Sequence, residues 1–115
     1  MFFTRIDNRL VFNFGKYKGE DVNKIAYLNI EYIDWCYSNI TGFKLPSESM
    51  SSLKHGIIRK LEQYIAACLV TTEIEEFFYK YFPNEDFDEL YESCHHAHIM
   101  EMFYKIRVGE YYNRR

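Results

Sequence analysis

The sequence predicts an α+β protein, an N-terminal β-hairpin with short helices packed on a C-terminal bundle of about three helices. Three observations carry that prediction. Residues 2–14 are rich in β-prone side chains and are interrupted once, by Asp7-Asn8-Arg9. From Ile57 onward, apolar residues recur every three or four positions, the period of a helix with one buried face. Between these regions Thr41-Gly42-Phe43-Lys44-Leu45-Pro46 and a serine-rich stretch punctuate the chain.

Taken in order, residues 2–6 and 10–14 read as two strands around a turn at Asp7-Asn8-Arg9, since Asp and Asn tolerate turn geometry. Asp21 can cap a short helix running to about Tyr27. Asn29 can cap a second, from Ile30 to about Ser38, with Glu31 favourably placed in its first turn. Pro46 blocks continuation, and Ser47 to Ser52 feeds a long helix. Its stripe is Ile57, Ile58, Leu61, Tyr64, Ile65, Cys68 and Leu69. Val70-Thr71-Thr72 marks a break, with Thr72 as the next cap and Glu75 able to complete a capping box. Ile74, Phe77, Phe78, Tyr81 and Phe82 form the apolar face of the helix at 74–82, which Pro83 closes. Asn84 or Asp86 starts the last helix. Its stripe of Phe87, Leu90, Tyr91, Cys94, His98 and Met102 continues through Phe103 and Ile106 to Gly109.

The chain of 115 residues suits one domain, with residues 1–46 as a hairpin module, 47–115 as the helical part, and a seam near 44–52. Aromatic residues make up 19%, with 11 Tyr and 10 Phe, a composition that favours packed layers with polar rims or a contact surface. No apolar run approaches the roughly 20 residues of a membrane span, and the N-terminus does not read as a signal peptide. Three well-separated cysteines, Cys36, Cys68 and Cys94, argue for reduced thiols and a cytoplasmic setting.

The net charge of −3 is unevenly distributed. Residues 1–62 carry nine Lys/Arg against seven Asp/Glu, whereas residues 73–101 carry Lys80 alone against nine acidic side chains. A basic field over the whole surface is excluded, and a local basic site is not.

That local site is the run Phe14-Gly15-Lys16-Tyr17-Lys18-Gly19. Glycine at both ends predicts a tight turn with positive φ, projecting two cations and a ring. Such a tip suits phosphate contacts with Tyr17 stacked on a base. It equally suits a solvated turn whose lysines keep an edge hairpin soluble. It lacks the Gly-Lys-Ser/Thr ending of a phosphate-binding P-loop and the spacing of a dinucleotide fingerprint. Phe14, Ile25, Tyr32 and Trp35 are expected to form a miniature core beneath it.

The run Phe14 to Gly19, followed by Ile25-Ala26 and Tyr32-Ile33-Asp34-Trp35, resembles the small module at the C-terminus of exodeoxyribonuclease X-like proteins and in short phage and bacterial proteins. The resemblance covers about residues 10–45. It implies an accessory module near nucleic-acid metabolism and brings no catalytic mechanism, because the catalytic carboxylates of those enzymes lie in a separate nuclease domain.

Three other constellations remain. Cys94 and His98 are four residues apart on a helix, and His98 and Glu101 three apart, spacings that can hold two legs of a metal site. Glu92 and His95 give a single Glu-x-x-His copy where di-iron bundles use two. Cys94 and His98 also fall on the apolar stripe, where core packing is the simpler account, so no metal or other cofactor is expected. A thiolate nucleophile at Cys94 lacks an orienting partner. The carboxylates at 85–92 sit at a helix start, which favours them for reasons unconnected with catalysis.

The expectation is a non-catalytic module contacting nucleic acid, or a nucleic-acid-processing protein, through Arg5, Arg9, Lys16, Tyr17, Lys18 and Lys44. The alternative is a protein–protein adaptor or inhibitor. It would act through Phe77, Phe78, Tyr81 and Phe82 and the acidic surface of 73–101, a surface able to join two copies of the chain or to mimic nucleic acid.

Overall fold

Asp7 and Asn8, at φ 51° and 67°, reverse the chain in a two-residue hairpin loop, the left-handed pair that matches the twist of the flanking strands. The computed structural model describes residues 2–94. Strand β1 is Phe3–Ile6 and β2 is Arg9–Phe12, antiparallel, with Phe3 opposite Phe12 and Ile6 opposite Arg9. The strands are shorter than expected, and Arg9 pairs as a strand residue instead of lying in the turn.

Helices follow: α1 Val22–Leu28, α2 Ile30–Asn39, α3 Ser47–Ala66, α4 Thr72–Tyr81, and α5 over residues 87–94. The architecture is therefore α+β, a two-stranded hairpin followed by five helices among the described residues, with a helical C-terminal part. None of these helices is long and apolar enough to cross a membrane.

The capping chemistry places α1 and α2 where the sequence puts them. Asp21 Oδ1 accepts from the N–H groups of Asn23 (2.8 Å) and Lys24 (3.3 Å), and Asn29 Oδ1 accepts from Tyr32 N–H at 3.1 Å. Elsewhere the boundaries move. The serine-rich stretch is itself helical, because Pro46 suits the entry to a helix and Ser49 and Leu53 are fully buried on one face. Cys68 and Leu69 lie outside α3. Leu69 N–H donates to Tyr64 C=O (2.9 Å) and Cys68 N–H to Ile65 C=O (3.1 Å), while Cys68 takes φ 58°. This is a Schellman ending with cysteine in the seat that glycine usually fills. The N-cap of α4 is Thr71, without a side-chain cap bond, in place of Thr72. Before α5, Asp86 Oδ1 accepts from Asp88 N–H at 2.9 Å, the start expected there.

The chain divides into two compact units between Ile57 and Ile58, inside α3. The first unit has a core of Val11, Phe12, Val22, Ile25, Ala26, Ile30, Ile33, Cys36, Phe43, Leu45, Leu53 and Ile57, all buried. Alternate strand residues face opposite sides, so the burial of both Val11 and Phe12 shows that both faces of β2 are covered at this end. Burying a ring such as Phe12 contributes about 1.5–3 kcal/mol. Gly56 lets α3 approach the end of α1, since a Cβ there would lie 2.6 Å from Tyr27 O and 2.8 Å from Ala26 O. In the second unit Leu61, Ile74, Phe78, Phe87 and Cys94 are buried. Tyr79 Oη accepts the Phe87 N–H at 3.0 Å and so ties α4 to the start of α5.

Candidate functional site

Residues 15–20 form two overlapping turns. Lys18 N–H donates to Gly15 C=O (3.2 Å) and Glu20 N–H to Tyr17 C=O (2.9 Å). Gly19 N–H donates to Phe12 C=O (2.8 Å) and Phe12 N–H to Glu20 C=O (3.0 Å), so the turn is fastened to the end of β2. Gly15 and Gly19 adopt φ 71° and 86°, the positive values the sequence predicts. Gly19 is third in the Tyr17–Glu20 turn, a place that demands them. At Gly15 there is a second constraint, because a Cβ would lie 2.9 Å from the Tyr32 hydroxyl.

Tyr32 is the post on which the turn rests. Its ring meets Phe12 at 5.8 Å and Tyr17 at 4.7 Å, both edge-on. Its hydroxyl accepts the Lys16 backbone N–H and bonds the Cys36 thiol one helical turn on. Burial, reinforced by the neighbouring Cys36, pushes the Tyr32 hydroxyl up to about 12. The Tyr17 hydroxyl accepts from Asn29 Nδ2 at 2.9 Å. Tyr17 is thus half-buried, with its ring packed edge-on and its hydroxyl engaged, and it braces the turn from inside.

Lys16 and Lys18 are exposed, and Lys16 Nζ lies 5.4 Å from the centre of the Tyr17 ring, in cation–π range. The other expected cations are placed differently. Arg9 begins β2 at the hairpin loop, at the opposite end of that strand from the turn, roughly 10 Å away by strand rise. Arg5 is ion-paired with Glu48 and reaches Asn8 C=O at 3.4 Å. Lys44 is exposed and follows Phe43, whose ring packs on Phe2, Phe3 and Phe14. Lys16, Tyr17 and Lys18 are brought together; Arg5 and Arg9 sit apart from them.

Trp35 overturns an expectation. It is 53% exposed and lies outside the core, because the buried stripe of α2 is Ile30, Ile33 and Cys36. Its ring lies within 16° of parallel to Tyr32, with centres 6.0 Å apart. Together with Phe14, Gly15, Lys16 and Ile40 these two rings line an open groove of about 380 Å³. The helical wheel of α2 carried the signal: Trp35 is set off by about 100° or more from every residue of the buried stripe.

The matched stretch begins at Phe12, beneath this turn, and ends just past α2. Residues 12–41 match the exodeoxyribonuclease X-like C-terminal family. The exodeoxyribonuclease X-like module therefore contains the whole double turn, its Tyr32 post and every residue lining the groove. It covers well under half of the chain. Comparison with curated proteins and with solved structures gives no match.

Outside the module, Phe78 is 1% exposed and stacks with Phe82 at 5.5 Å and against Phe87 at 5.8 Å. It is a core residue of the second unit and offers no surface to a partner. Phe77, Tyr81 and Phe82 are half-buried, with Phe77 and Tyr81 paired at 5.0 Å. Glu85, Asp86, Asp88, Glu89 and Glu92 are exposed. Cys94 is buried, and burial with Glu62 nearby pushes its thiol up to about 11, which keeps it protonated and a poor nucleophile at neutral pH. His95, His98 and Glu101 lie outside the described residues, as do His96 and the C-terminal part of the acidic stretch.

Proposed function

We propose that this chain is a non-catalytic accessory module that contacts nucleic acid through its first unit. Lys16 and Lys18 neutralise backbone phosphates. One observation carries the reading: the Gly15–Gly19 turn holds two exposed lysines on a backbone fastened to β2 and braced by Tyr17 and Tyr32, beside an open aromatic groove. A turn built only for solubility needs no such bracing. The match to a nuclease-associated family supports a nucleic-acid setting. Arg5 and Arg9 at the far end of the hairpin, with Lys44, are supplementary contacts for a longer ligand. The adaptor reading is weaker, since the burial of Phe78 removes the centre of the surface it needs.

Binding of this kind is largely independent of sequence and falls with salt, each phosphate contact adding about 0.7 to the log–log salt slope for single strands and about 0.9 for duplex. The test is fluorescence anisotropy of labelled single- and double-stranded DNA and RNA at low and near-physiological salt, repeated with a Lys16→Gln/Lys18→Gln variant. Saturable, salt-sensitive binding that this variant weakens while melting like the parent supports the proposal. Absence of binding at low salt, or binding unchanged in the variant, overturns it.

A further inference from the structure

We infer that the groove of Phe14, Gly15, Lys16, Tyr32, Trp35 and Ile40 is a seat for one unstacked nucleobase, with Trp35 as the stacking platform, so that the ligand is single-stranded. The inference rests on the nucleic-acid reading above and specifies what the lysines hold in place.

An exposed tryptophan has a cost. Its ring is the largest apolar surface a side chain can present, and tryptophan is highly buried on average. Trp35 is 53% exposed although the unit has an aromatic cluster to which it might have been added. It stays outside that cluster because α2 turns Ile30, Ile33 and Cys36 inward, and it lies nearly parallel to Tyr32, which is itself fixed by the Lys16 N–H and the Cys36 thiol. The result is a wall of two near-parallel rings that needs little ordering when a ligand arrives. Preorganisation of this sort removes part of the entropic penalty of binding.

The occupant follows from what lines the groove. Four residues offer apolar or aromatic surface, Gly15 offers backbone, and the one charged lining residue is Lys16. None of the lining residues is acidic. A volume of about 380 Å³ falls at the lower end of the roughly 300–1,000 Å³ of small-ligand pockets. The matching ligand has a flat π face joined to an anion, and a nucleotide has both. An aliphatic peptide side chain would use the wall and leave Lys16 unmatched. A duplex keeps its base faces stacked inside, so only a single strand, an end or an extruded base reaches such a wall. Lys18, two residues on and also exposed, is placed to meet an adjoining phosphate.

Trp35 is the sole tryptophan, so its emission reports on the groove directly. The experiment titrates the full chain with oligothymidylate and with a hairpin duplex of equal phosphate count, following Trp35 emission and, with labelled oligomers, anisotropy. Trp35→Ala and Trp35→Phe are run in parallel. The expected result is quenching by oligothymidylate and weaker quenching by duplex. Trp35→Ala should weaken single-strand binding by about five- to 150-fold, the loss of one stacked base. Trp35→Phe should recover much of that loss, and duplex affinity should change little in either variant. Equal single-strand and duplex binding with Trp35 emission unmoved would overturn the base seat and leave the phosphate-contact reading standing. Binding of neither would overturn both. An emission change with an apolar peptide but with no oligonucleotide would assign the groove to a protein partner. Should Trp35→Ala melt early, the parent's quenching alone decides the question.

Discussion

Tyr17 and Asn29 are joined by a hydrogen bond of 2.9 Å from Asn29 Nδ2 to the Tyr17 hydroxyl, linking the basic turn to the junction of two helices. Asn29 also caps α2 through Oδ1 and closes α1 through its own N–H to Ile25 C=O at 2.8 Å. One side chain thus sets the start of the Trp35-bearing helix and the position of the lysine-bearing turn.

Asn29→Ala should therefore destabilise by more than a lost cap alone. A cap is worth about 0.5–2 kcal/mol, and a part-buried Tyr17 hydroxyl deprived of its donor adds about 1 kcal/mol. Asn29→Ser keeps the capping oxygen and should recover the first contribution only. Urea unfolding of the three proteins measures both, and a Ser variant as stable as the parent would show that the tie to Tyr17 carries no weight.

The two glycines of the turn should respond differently to alanine. At Gly19 nothing lies within 4 Å of the added methyl, so only the positive φ opposes it, about 1 kcal/mol. At Gly15 the methyl also meets the Tyr32 hydroxyl at 2.9 Å and must displace it from Lys16 N–H and Cys36, for a loss of about 2 kcal/mol or more. Equal denaturation midpoints for the two variants would mean that Tyr32 yields freely.

Cys68→Gly should stabilise the protein. Cys68 is exposed and holds φ 58° in the Schellman ending of α3, a conformation glycine adopts without strain. The gain expected is about 1 kcal/mol, or a few degrees in Tm. Cys68→Ala, which keeps the strain, should leave the midpoint nearly unchanged and serves as the control.

Tyr32 makes stability fall with alkali. Its folded value of about 12 lies above the ordinary tyrosine value near 10, so the unfolded chain loses this proton first. The contribution is whole below pH about 10 and is lost as pH rises through about 12. The buried Cys36 and Cys94 thiols, also pushed up by burial, act in the same direction. Unfolding free energies measured between pH 8 and 12 should decline less steeply for Tyr32→Phe than for the parent.

The parts of this molecule that were legible in the sequence are those fixed by local chemistry. Asp21 and Asn29 cap helices through atoms two or three residues away, and Gly15 and Gly19 announce positive φ by having no side chain. The α+β class follows from the same short-range signals. The parts that misled depend on what lies across the fold. Ser47 to Ser52 reads as the lead into a long helix, and only the burial of Ser49 and Leu53 on one face makes it part of that helix. Cys68 extends an apolar stripe on paper, yet the helix has already turned away from it. The spacing of Phe14, Ile25, Tyr32 and Trp35 suits a small core under two short helices, whereas the position of Trp35 on α2 sends it outward. Of the site, the cations of the turn were visible. The groove was not, because it joins the start of the turn to one side of α2 and to Ile40.

The first half of α3 belongs to the same compact unit as the turn. The family match ends at residue 41, but Leu53 and Ile57, both fully buried, complete the core beneath it, and Gly56 seats α3 against the end of α1. A recombination event or a cloning boundary placed at the edge of the match would carry off the basic turn and its groove and leave behind the wedge that packs beneath them. The smallest portable piece reaches at least to Ile57. Its boundary falls within an unbroken helix, so any lineage or engineer that transplants the turn must bring the first half of α3 with it.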